Sequence, residues 1–158
     1  MNISECINFL GHASVYPQFD LFLLNNGIKK RLKGKESYET LSSLDNKVVL
    51  SFQLFDDFSD ESLIPAKSKG KSILSEIEVH SGYSGHLPYD LSFNDTIEKI
   101  KNKLGGVIEE IELPNKHIFT FYYDLLLIGV FINDDEDIYM IKISVPTVYD
   151  KKNLGIEV

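Results

Sequence analysis

Histidine is the side chain best suited to acid–base or metal chemistry near neutral pH. The chain has four, His12, His80, His86 and His117, and they are scattered. His80 and His86 bracket a glycine-containing loop and lie close after Glu76 and Glu78. A set of His80, His86 and Glu78 would supply the parts of a small hydrolase or a metal site. Helix-borne i, i+4 spacing is missing, however, and no third ligand is fixed by the sequence. The plainer alternative is exposed strand and loop histidines. The sequence therefore predicts no catalytic residue, no metal and no cofactor.

Carboxylates form the second group of candidates. Asp56, Asp57, Asp60 and Glu61 fall within one short stretch, and Glu76 and Glu78 follow on a strand pattern. Together they would make a negative surface suited to a basic partner; the alternative is a charged loop that keeps a sheet edge soluble. A third acidic run, Asp134, Asp135, Glu136 and Asp137, lacks the alternating ligands, central glycine and distal glutamate of a calcium loop. It reads as a solvated hairpin tip whose charge is also open to a basic partner. Serines are frequent, yet no G-x-S-x-G elbow occurs. The Gly-Lys pairs at Gly34 and Gly70 lack phosphate-loop spacing. Phe119, Phe121, Tyr122 and Tyr123 imitate a base-stacking platform, but net charge makes core aromatics the better explanation.

The elements that must carry these residues follow from periodicity. Ser4 is placed to cap a helix through Leu10 with Gly11 as its stop, and Pro17 suits the first turn of a helix through Leu24. The basic stretch 27–35 follows and reads as exposed. Residues 38–42 and 47–55 alternate as a hairpin. Residues 56–71 read as a polar loop. Ser72 to His80 reads as a strand with Ile73, Ile77 and Val79 on one face and Glu76, Glu78 and His80 on the other. Asp95, with Glu98 at capping-box spacing, starts a helix that Gly105 ends. Three strands, 117–123, 125–132 and 137–145, form the apolar heart. The middle one is apolar on both faces and is predicted to be central. Residues 147–158 read as a loosely packed tail. Helices followed by strands with one inserted helix predict an α+β fold, with helices on one face of a mostly antiparallel sheet of about five or six strands.

The totals bound the rest. A chain of 158 residues with 43% hydrophobic content reads as a single domain, 1–158, with a real core. Lys+Arg 16 against Asp+Glu 24 gives a charge of −8, which argues against nucleic-acid and anionic-membrane partners. Cys6 is the lone cysteine, so no intramolecular disulfide forms and a reducing cytoplasm fits. The N-terminal stretch has no basic region before an apolar run, so no signal peptide is expected. The longest apolar run, Leu125 to Ile132, is far short of the ~20 residues of a spanning helix.

One family pattern overlays these elements. It comprises a polar loop with Lys69-Gly70-Lys71, the strand Ile73 to Val79, then Gly82-Tyr83, Gly85-His86-Leu87-Pro88-Tyr89-Asp90-Leu91-Ser92-Phe93, and a helix ending Lys103-Leu104-Gly105. Aromatic-rich strands close it. This layout resembles a bacterial domain found among immunity proteins of toxin–immunity pairs, such as those of contact-dependent growth inhibition. The family usually carries glycine where this chain has Asp90. The resemblance implies a non-enzymatic cytoplasmic protein that binds and blocks the C-terminal toxin domain of a sister cell, commonly a basic nuclease. An unrelated bacterial protein-binding or structural domain is the alternative, and the His80/His86 hydrolase a further one.

Overall fold

The computed structural model describes residues 1–157. Seven strands, β1 (Tyr38–Ser42), β2 (Val48–Leu54), β3 (Ser72–His80), β4 (Glu109–Leu113), β5 (Lys116–Tyr123), β6 (Leu126–Ile132) and β7 (Ile138–Ser144), form one antiparallel sheet in the order β1-β2-β3-β7-β6-β5-β4. Helices α1 (Ile3–Cys6), α2 (Pro17–Asn25), α3 (Phe55–Glu61), α4 (Ile97–Leu104) and α5 (Val148–Leu154) surround it. The α+β class holds, and the sheet is larger than the sequence predicted. The added strand is β4, whose Glu-Glu-Ile-Glu-Leu sequence and exposed side chains give no burial pattern to read.

Pleating gives the sheet two unlike faces. Register puts Leu50, Ile77, Ile143, Ile128 and Phe121 across from one another on the same face, all fully buried. Helices cover this face. The α2 residue Phe19 stacks on Phe52 of β2 at 5.9 Å and on Phe9 at 4.7 Å. At the other end α4 buries Ile100 and Leu104 and holds the Lys101 ammonium over the Phe119 ring. Cys6 of α1 lies fully buried in this core, and burial pushes its thiol far above the ordinary range.

The β3 pairing slips between Ser51 and Phe52, so Ser75 is an extra residue, and its hydroxyl donates to the Ser51 carbonyl at 3.2 Å. This bulge reverses the parity of the strand. Ile77 and Val79 stay on the helix-covered face, whereas Ile73 pairs with Gln53 on the opposite one. The strict alternation expected across 72–80 therefore holds only from Glu76 onward. Beyond the bulge the segment after α1 pairs with β3: Gly11 donates to Leu74, Leu74 to His12 and Ser14 to Ser72.

Several local expectations shift. Asn2, not Ser4, caps the first helix, which is shorter than expected and continues as a 3₁₀ turn, Ile7–Phe9. Gly11 ends it at φ +87°. The predicted loop 56–71 begins with α3, where Asp56 and Asp57 sit in the first turn and favour the helix dipole. The tail contains α5, started by a full Thr147–Asp150 capping box. Helix α4 is capped by Thr96, whose hydroxyl accepts from the Lys99 amide at 3.3 Å. Asp95 instead accepts from the Ser92 amide and pairs with Lys103 at 2.8 Å. The middle of the sheet is β7, with β6 one place from it. Among the described residues no helix is long and apolar enough to cross a membrane.

Candidate carboxylate site on the open face

The face opposite α2 and α4 is polar along β1, β2 and β3. Register places Tyr38 beside Gln53, Thr40 beside Ser51, Ser51 beside Glu76, and Glu78 beside Lys142. Helix α3 closes one end. The buried Gln53 amide, 6% exposed, donates to Glu61 at 2.9 Å, which ties the end of α3 to this face rather than to the helix-covered one. The expectation that all helices lie on one face is thus corrected. The cause is chain economy, since α3 follows directly from the end of β2.

Helical spacing divides the acidic residues of α3 into two pairs. Asp57 and Glu61, four apart, are half-buried; Asp56 and Asp60 are exposed. Asp57, Glu61 and Glu76 all bear on the Tyr38 hydroxyl. Tyr38 is 62% exposed, yet partial desolvation of its hydroxyl pushes its pKa up first, then Glu61, Glu76 and Asp57 in turn. Glu76 is itself raised. Burial is the main cause; Lys142, at 3.7 Å, opposes it, and the neighbouring Glu78 adds to it. Glu78 in turn meets the His80 ring at 3.3 Å. Lys142 also lies over the Phe131 ring at 5.6 Å. Four carboxylates therefore lie along this face with Lys142 among them and the basic 30–35 loop at its β1 edge, and the carboxylates are suited to accepting cationic groups.

Asp134, Asp135, Glu136 and Asp137 are exposed at the β6–β7 turn, where Asn133 and Asp137 close the hairpin. His80 pairs with Met140 near that turn, whereas α3 lies beyond the Ser72 end of β3. The two acidic groups thus sit at opposite ends of a nine-residue strand, roughly 25 Å apart. His86 is exposed in a groove with Met1, Asn2, Ser4 and Tyr83, away from the Glu78–His80 pair. Among the described residues no group of three or more His, Cys, Asp or Glu stands at metal-holding distance.

Sequence reading missed Gln53 and Lys142. Each was hidden in an apolar strand, and a lone polar residue in such a strand was the available signal. The basic stretch has its own structure. The Glu39 carboxylate accepts the amides of Lys33, Gly34 and Lys35 at 2.7–3.2 Å. Partial desolvation pushes Glu39 upward, and the backbone amides of the 33–36 loop together bring it below the usual range. The loop thus held beside β1 frames a cavity of about 530 Å³ lined by the cations Lys30, Arg31, Lys33 and Lys35, by Glu36 and Glu39, and by Tyr38 and Thr40.

No family model matches the chain, and no curated protein does. A solved structure of a DUF4309 family protein (YjgB) from Bacillus subtilis is similar over 74% of this chain and 70% of its own, at 11% identity and a TM-score of 0.39.

Proposed function

We propose that this chain is a non-enzymatic immunity protein that binds and neutralises a cognate toxin domain, a basic nuclease, through its acidic open face. The observation that supports the proposal is the run of Glu76 and Glu78 along the open face of β3, closed at one end by Glu61 of α3, which Gln53 holds beside Tyr38. A nuclease binds phosphate through basic residues, so a carboxylate surface competes for the same groups and speeds encounter. Asp90 is where the chain departs from the family pattern. It has φ +59°, the left-handed region that glycine takes without steric cost, at the position where the family has glycine. The acidic tip at Asp134 to Asp137 and the outer pair Asp56 and Asp60 then serve as longer-range steering charges.

The test pairs the chain with the toxin domain encoded beside its gene. Glu61→Lys with Glu76→Lys should slow association about tenfold or more at low salt and abolish protection of cells making the toxin. Reversal of the 134–137 tip should change the rate far less. Absence of any neighbouring toxin that binds the chain, or full protection by the double reversal, would overturn the proposal.

A further inference from the structure

Strand β4 ends the sheet, and among the described residues no strand pairs with its outer side. Its geometry shows which groups are free. Leu113 and Lys116 close a two-residue turn at Pro114-Asn115, and from there Ile111 pairs with Ile118 and Glu109 with Thr120. In a two-residue hairpin the closing pair is hydrogen-bonded, and bonded pairs recur at every second residue. The main-chain groups of Glu109, Ile111 and Leu113 therefore face β5. Those of Glu110 and Glu112 face outward. Ile111 and Leu113 project from the open face, 38% and 44% exposed. Glu110 and Glu112 project from the other.

We infer that this edge accepts an extended, basic segment of a partner protein, with lysine or arginine alternating with apolar residues. An added strand would bond to the outward groups of Glu110 and Glu112. It would lay its apolar residues beside Ile111 and Leu113, and its cations beside Glu112 and beside Glu110, whose carboxylate also meets the His117 ring of β5 at 2.7 Å. The same glutamates exclude the rival occupant. A second copy of β4 would set carboxylate against carboxylate across the new pair, which is destabilising. The other sheet edge also fails to fit a basic strand, because the Lys30–Lys35 loop stands beside β1. The inference concerns a surface at the far side of the sheet from Tyr38 and does not rest on the toxin proposal.

The probe is a capped synthetic peptide of roughly eight residues alternating valine with lysine. Amide hydrogen exchange followed by NMR should show new protection at Glu110 and Glu112. Glu112→Pro deletes an outward N–H while leaving the β4–β5 bonds in place, and should weaken binding at least about tenfold. Glu112→Gln keeps the N–H and should weaken it only a few-fold. Thr40→Pro, on the opposite edge, should leave affinity unchanged. If Glu112→Pro does not fold, a peptide N-methylated on alternate residues tests the same bonds against the unaltered chain, and should lose binding likewise. Unchanged affinity in these arms, equal binding of a valine–glutamate peptide, no binding at millimolar peptide, protection at β1 instead, or self-association through β4 would each overturn the inference.

Discussion

The two edges of the sheet have the same backbone valence and opposite surroundings. At β1 the basic loop, pinned by Glu39, stands alongside, and α2, with Phe19 and Phe22 packed on Phe9 of the 3₁₀ turn, backs the neighbouring strand β2. At β4, among the described residues, no strand stands alongside, the flanking carboxylates are Glu112 and Glu110, the latter meeting the His117 ring at 2.7 Å, and the cover on the adjoining strand is the short helix α4. Unpaired N–H and C=O groups are therefore common to both edges, and side-chain charge decides what each can admit. The acidic open face follows the same rule: its polarity comes from strand residues, but α3 gives it its density of charge.

The largest test of this contrast is in the core behind each edge. Phe52→Ala removes the ring that Phe19 stacks on and should cost about 4 kcal/mol. Phe119→Ala, under Lys101 of α4, should cost nearer 3 kcal/mol. Urea unfolding of both variants measures the difference, and a reversed order would remove the claim that β4 is the thinly backed edge. Next comes the cap of α4. Thr96→Ala should cost about 1 kcal/mol and speed amide exchange in β4 and β5 while leaving β1 and β2 unaffected. Equal acceleration at both edges would mean that the sheet opens as one unit.

Two smaller effects concern charge. Glu39→Ala should release the Lys33, Gly34 and Lys35 amides to faster exchange without altering β4. Unchanged exchange there would show that the loop is held by something other than this carboxylate. For Glu76 the folded state holds the proton more tightly than the unfolded chain does. Its contribution to stability is therefore favourable at low pH. It falls as pH rises from the ordinary glutamate value through the raised one. Glu76→Gln should be slightly more stable than the native chain at pH ~7, and that gain should shrink toward pH ~4. A gain independent of pH would mean that packing, not ionisation, is responsible.

How much of this was legible beforehand depends on where information resides. Strands β2, β3, β6 and β7 were readable because burial writes an apolar pattern into them. The parity reversal at Ser75 left only a faint mark, Leu74 standing apolar out of step with Ile77 and Val79, because a bulge is fixed by pairing with the partner strand. Strand β4 was unreadable for a different reason: it is held by main-chain bonds to β5 and buries almost nothing. Helix α3 was hidden because only Phe58 is fully buried, so five polar neighbours looked like a loop. The α5 capping box, Thr147 to Asp150, is written in the sequence itself, but no apolar stripe follows it to mark a helix. Of the candidate site, Asp57, Glu61, Glu76 and Glu78 were visible as residues. Their meeting at Tyr38 depends on which face α3 takes, and that is a property of the whole fold.

Cys6 gives the molecule a built-in reporter. Its side chain is fully buried and its thiol is kept protonated, so an alkylating reagent reaches a reactive thiolate only when the core opens. No other thiol competes for the reagent. The rate at which the native chain is modified, measured without denaturant, therefore counts core openings directly. The same seclusion leaves the outside of the molecule free for site-directed chemistry. A single cysteine introduced at an exposed position would take a spectroscopic label while Cys6 stays silent.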